Sequence, residues 1–150
     1  MSDKNDMMKL YSGRILALAA DMPRTERLKN PTATARKRAP LCGSTVTVDV
    51  TLRGGIIIDY GQDVKACALG QAAASVIGAV IVGQSLETVA KGRAELATML
   101  TAEGPIPSAP FQELAVLEPA KDYKNRHASI LLAFDATLEA AASVETTVSP

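Results

Sequence analysis

The chain has 150 residues, 47% of them hydrophobic but only 3% aromatic, with no tryptophan. Sixteen basic residues balance sixteen acidic ones, so no global field draws it to nucleic acid or an anionic membrane, and the scarcity of aromatics argues against base stacking on single strands. One domain over residues 1–150 is expected, its core built from Ala, Val, Ile and Leu, with 1–7 and 145–150 as loose tails.

The opening MSDKNDMMKL has no apolar core behind basic residues and does not read as a secretory signal. Over residues 8–22, Leu10, Ile15, Leu18, Ala19 and Met22 recur at helical spacing, which predicts an amphipathic helix ending before Pro23. The stretch PRTERLKNPTATARKRAP then carries Arg24, Arg27, Lys29, Arg36, Lys37 and Arg38 against Glu26 alone. Such a run is either a solvated loop and guarded edge strand, with a strand near Thr34–Arg38, or a docking patch for an acidic partner.

Residues 44–53, STVTVDVTLR, alternate cleanly, with Val46, Val48, Val50 and Leu52 on one face and Thr45, Thr47, Asp49, Thr51 and Arg53 on the other. Period two with β-branched residues predicts a half-buried strand. Gly54 and Gly55 supply a hairpin turn, Ile56–Tyr60 return as the next strand, and GQDVKA reads as a turn. Strand connections this short exclude a parallel sheet.

The apolar run from Ala66 to Val82 is interrupted by Gly70, Gln71, Ser75 and Gly78. It falls short of the roughly 20 apolar residues a membrane span needs, so it predicts a buried central helix in a soluble, cytoplasmic protein. Ser85 is placed to cap a further helix through Leu86, Val89, Leu96 and Leu100, with Gly92 weakening its centre. Prolines 105, 107, 110 and 119 predict an irregular loop, and a last helix is expected over about 125–144 with Leu131, Phe134, Leu138 and Ala141 inward. The expected fold is α+β: a small three-stranded antiparallel sheet packed against a layer of helices, with a long C-terminal helix.

Only two cysteines are present, Cys42 before the long strand and Cys67 at the head of the central helix. In a reducing compartment they are free thiols, metal ligands or inert core residues rather than a structural disulfide. A hairpin brings its outer ends together, so the two thiols are expected within reach of one another. At a helix N-terminus the Cys67 thiol is expected to favour its thiolate, the form that binds zinc or iron and attacks sulfur. With one histidine and two cysteines, the sequence shows no base–nucleophile pair for a cysteine hydrolase.

LCGSTVTV resembles the first cysteine motif of the NifU/IscU-type iron–sulfur cluster assembly scaffold family, a Cys-Gly-Asp followed by a strand. CALGQAAAS is similar to the second motif, especially in the SufU-like branch, VGQSLETV to the start of the following helix, and RHASILLAF to the third cysteine motif. The resemblance runs through residues 10–140 in order and spacing. It implies an α+β scaffold, not an enzyme, that takes sulfur from a cysteine desulfurase, holds a transient iron–sulfur cluster or zinc, and passes the cluster to apoproteins.

On this resemblance Cys42 and Cys67 are the metal or cluster ligands, with His127 an auxiliary ligand and Ser129 another. Ser44 stands where the family has its aspartate, and the third cysteine position falls on Ser129 or Ala128 according to the alignment chosen. Two chains face to face would bring four cysteines together, which makes a homodimer bridged by a cluster one expectation. The other is a binding module that keeps the scaffold fold, builds no cluster, and docks on a cysteine desulfurase or another scaffold through Arg24–Arg38.

Overall fold

Alternation builds the sheet. In a computed structural model that describes residues 11–148, with side chains described through Val144, β1 (Ala33–Ala39), β2 (Ser44–Arg53) and β3 (Ile56–Lys65) form an antiparallel sheet in the order β1-β2-β3. Val46, Val48 and Val50 turn their side chains inward and are buried, as the period-two pattern requires. Gly54 and Gly55 join β2 to β3 with φ of 59° and 79°, the pair of positive angles that a two-residue type I′ hairpin turn needs. A register shift between Thr51 and Leu52 leaves Ile58 and Asp59 both exposed, so that Ile57 and Tyr60 are both buried.

β3 continues five residues beyond the predicted Tyr60, through the segment that reads as a turn. Tertiary partners override the local signal. A Cβ at Gly61 would stand 2.3 Å from the Glu26 carbonyl oxygen, so only glycine lets the preceding loop cross there. Gln62 occupies a core position because its amide nitrogen donates to the carbonyls of Pro23, at 3.2 Å, and Ala74, at 3.1 Å. Its backbone N–H donates to Arg24 at 2.9 Å, which helps cover this edge of the sheet.

Asp49 pins the same loop. Its carboxylate is fully buried and accepts Arg27 Nε at 2.6 Å, Arg27 Nη2 at 3.0 Å, the Leu28 N–H at 3.0 Å and the Thr34 hydroxyl at 2.5 Å. Burial pushes its pKa up, but the Arg27, Thr34 and Leu28 hydrogen bonds and the Arg27 charge outweigh that and hold it below the ordinary value.

Among the described residues, four α-helices and a 3₁₀ segment form the layer over the inner face. α1 (Gly13–Ala20) starts later than the predicted residue 8, because the Ser12 hydroxyl caps it by accepting the Ile15 N–H at 3.3 Å; residues 8–10 lie outside the described residues. α2 (Ala68–Val80) is the central apolar helix, burying Leu69, Ala72, Ala73, Val76 and Ile77 between α1 and α4. Ser85 caps α3 (Leu86–Thr101) by accepting the Thr88 N–H at 3.1 Å. Gly92 in its centre serves packing, since a Cβ there would stand 2.6 Å from the Phe111 ring. Phe111 meets Phe134 edge to face at 5.1 Å, the aromatic contact at the middle of this layer.

The proline-rich stretch is less irregular than expected. Residues Gln112–Asp122 wind as a 3₁₀ segment that buries Leu114, Leu117 and Ala120, a spacing of three that matches its three residues per turn. α4 (Lys124–Val148) then crosses the inner faces of β1 and β2 and touches α2 and α3, burying Ile130, Ala133, Phe134, Thr137 and Ala140. It runs on through 145–148, which the sequence reading assigned to a loose tail; residues 1–7 and 149–150 of the expected tails lie outside the described residues. The architecture is α+β, a three-stranded antiparallel sheet under a helical layer with a long C-terminal helix. Among the described residues no helix is long and apolar enough to cross a membrane.

Candidate functional site

Three elements deliver their ends to one place. Ala39 pairs with Ser44 across the β1–β2 turn, whose corner holds Cys42 and whose Gly43 takes a φ of 71°. Thr45 pairs with Lys65, so the end of β3 lies beside the start of β2. Two residues past Lys65 the chain enters α2 with Cys67 as its N-cap, in extended backbone and without a side-chain capping bond. α4 then lays Ser129 between the two cysteines.

The result is a continuous string of sulfur and oxygen atoms. The Cys42 sulfur lies 3.3 Å from the Ser44 hydroxyl, that hydroxyl lies 3.0 Å from the Ser129 hydroxyl, and the Ser129 hydroxyl lies 3.6 Å from the Cys67 sulfur. Both serines are buried, while both thiols are half-buried and free. The hairpin does bring the two thiols to one site, with a serine pair between them. Ser129, not the exposed Ala128, takes the place facing the sulfurs.

Gly70, in the first turn of α2, makes this approach possible. A Cβ on it would stand 2.5 Å from the Ser129 hydroxyl and 3.1 Å from the Ser129 carbonyl oxygen. In the sequence Gly70 reads only as an interruption of an apolar run. The signal it carried was a residue without a side chain, three positions after Cys67, on a helix meant to be packed on all sides.

Cys42 is electrostatically prepared. Partial burial pushes its pKa up, but hydrogen bonding from the Ser44 hydroxyl and backbone and from the Ser129 hydroxyl, with the positive charge of Arg126, outweighs this and lowers it overall. The serine hydroxyls are neutral donors that stabilise a thiolate.

His127 is held elsewhere. It lies two residues before Ser129 on α4, about 200° round the helix, and its Nε2–H donates to the Ala120 carbonyl at 2.9 Å. That bond ties α4 to the 3₁₀ segment. Among the described residues no three His, Cys, Asp or Glu side chains are grouped so as to hold a metal ion. The donor set on one chain is therefore two thiols and two hydroxyls. It suits a soft or borderline metal through sulfur, and it supplies half of the four thiolates a [2Fe–2S] cluster takes.

A family model described as the NifU-like N terminal domain matches residues 10–129. The chain belongs to this family. Among solved structures it is similar to the N-terminal part of a nitrogen-fixing NifU-like protein from Brucella abortus, with 39% identity and a TM-score of 0.93 over 95% of this chain and 99% of that one. It also shares its fold with a protein from Fervidobacterium islandicum assigned as an iron–sulfur cluster assembly scaffold for the SUF system, at 19% identity and a TM-score of 0.80 over 89% of this chain and 97% of that one. A search of curated proteins finds no match.

Proposed function

We propose that the protein works in iron–sulfur cluster assembly as a scaffold-like domain whose cargo, iron or a transient cluster, is held by Cys42 and Cys67. The observation that carries this reading is the string from Cys42 through Ser44 and Ser129 to Cys67, which gathers both thiols of the chain at one half-buried place and lowers the pKa of Cys42. Membership of the NifU-like family supports it. On this reading a cysteine desulfurase supplies the sulfur and apoproteins receive the cluster.

The donor count sets the form of the complex. One chain brings two thiolates, so a [2Fe–2S] cluster takes its other two from a second copy, and the loaded state is a homodimer with the cluster between the chains. Zinc in the same place would complete its four donors with the serine oxygens or water. His127 would join only by giving up its bond to Ala120 and turning its ring.

The reading is tested by replacing either cysteine. In Cys42→Ala and Cys67→Ala proteins, uptake of iron and sulfide under anaerobic conditions is expected to fall to background. A Cys67→Ala protein that still takes up a full complement contradicts it. The replacement of the family aspartate by Ser44 and of the third cysteine by Ser129 favours a second reading, a NifU-like binding module that docks on a cysteine desulfurase or another scaffold without building clusters. Stable binding to such a partner by a wild-type protein that takes up no iron would select it.

A further inference from the structure

The basic run between Arg24 and Arg38 does not act as one patch once the chain is folded. Arg24 pairs with Asp59, Arg27 with Asp49, and Lys37 turns inward to Glu139 on α4. Arg36 and Arg38 remain on the solvent face of β1, exposed and, among the described residues, without an ion pair. The sheet adds a third cation that the linear sequence hides. In register, Arg38 lies across from Thr45 and Thr45 across from Lys65, while Arg36 lies across from Thr47 and Thr47 across from Asp63. Arg36, Thr45, Thr47, Asp63 and Lys65, with Arg27, line a depression of about 340 Å³ on the sheet face, and Arg38 continues the row beside it in register.

We propose that this face docks an extended acidic segment of a partner protein, which on the reading above is the one that exchanges sulfur or cluster with the thiols. The chain as a whole is neutral, yet among the described residues three cations without an ion pair stand on this row against the single carboxylate of Asp63. The threonine hydroxyls between them are further donors, so the surface is chemically matched to carboxylates. Arg36 and Arg38 are two positions apart on a strand, about 6.8 Å along it, which is the spacing of alternate side chains on an extended peptide. Guarding of the free edges accounts for single charges on β1 and β3, both edge strands, but not for cations from the two strands meeting in one row across the threonines of β2. Location is the second argument. Thr45 follows Ser44 directly and Lys65 precedes Cys67 by two residues, so whatever lies on this row borders the sulfurs.

The test is fluorescence anisotropy with a labelled peptide of alternating glutamate and serine, titrated with metal-free protein. Wild type is expected to bind it, and R36E/R38E/K65E to lose at least about tenfold in affinity, with the loss shrinking as salt is raised. The triple reversal K29E/R53E/K91E, which makes the same charge change elsewhere on the surface, is expected to retain binding. C42A/C67A is expected to bind as wild type does, so the result stands whether or not the thiols hold a cluster. The proposal is overturned by unchanged affinity in R36E/R38E/K65E, by an equal loss in the control reversal, or by a single-stranded oligonucleotide of the same net charge binding wild type as tightly as the peptide.

Discussion

The Ser129 hydroxyl lies 3.6 Å from the Cys67 sulfur, and through Ser44 it is linked to Cys42 on the other side. Two buried oxygens thus fill the space between two thiols. On the proposed reading they occupy the positions of the family motifs' aspartate and third cysteine, so a cluster held by Cys42 and Cys67 would draw its remaining thiolates from outside the chain.

Restoring those donors is expected to close the site. The double substitution Ser44→Asp and Ser129→Cys places a carboxylate and a third sulfur between Cys42 and Cys67. Zinc affinity, measured by competition with a chromophoric chelator, is expected to rise at least about 100-fold, equivalent to about 2.8 kcal/mol. Unchanged affinity would mean that metal does not sit between the thiols.

Gly70→Ala puts two effects against each other. Alanine gains up to about 1 kcal/mol of helix propensity. Its Cβ would stand 2.5 Å from the Ser129 hydroxyl and 3.1 Å from the Ser129 carbonyl oxygen, and the carbonyl belongs to a helix packed on the sheet. Overpacking of this kind costs about 1–3 kcal/mol, so a net loss of stability in urea titration is expected, together with weaker metal uptake. Because the carbonyl contact persists, Ser129→Ala is not expected to rescue the stability of Gly70→Ala.

The Asp49 cluster predicts a pH dependence with a definite sign. Its folded pKa is depressed, so its contribution is present above the ordinary carboxylate range and is lost as pH falls through the folded value. Asp49→Ala is expected to cost about 2–3 kcal/mol at neutral pH, because it strips acceptors from Arg27, Thr34 and the Leu28 N–H. Urea midpoints of wild type and variant should draw together as pH drops below about 4. A gap that stays constant with pH would show that the loss is one of packing alone.

The parts of the fold that follow local rules were legible. STVTVDVTLR gave β2 to the residue, Gly54-Gly55 gave the hairpin, and Ser85 gave the start of α3. What the sequence hid depends on distant partners. Gly61 and Gln62 look like turn residues until Glu26, Pro23 and Ala74 are brought beside them. Leu114, Leu117 and Ala120 carry a period of three that prolines obscure. At the site, hairpin geometry was enough to bring Cys42 and Cys67 to one place, but choosing Ser129 over Ala128 required the rotation of α4, and the role of Gly70 required its distance from Ser129 on α4. The same rotation turns His127 to Ala120.

The most direct measurement is anaerobic incubation of the purified protein with iron and sulfide, followed by absorption spectroscopy, iron and sulfide analysis, and determination of molecular mass. With Cys42 and Cys67 as the ligand pair, a cluster band is expected at one [2Fe–2S] unit per two chains, in a species of dimer mass that reverts to monomer when the cluster is removed. Protein that stays colourless and metal-free with both thiols reduced would contradict the account.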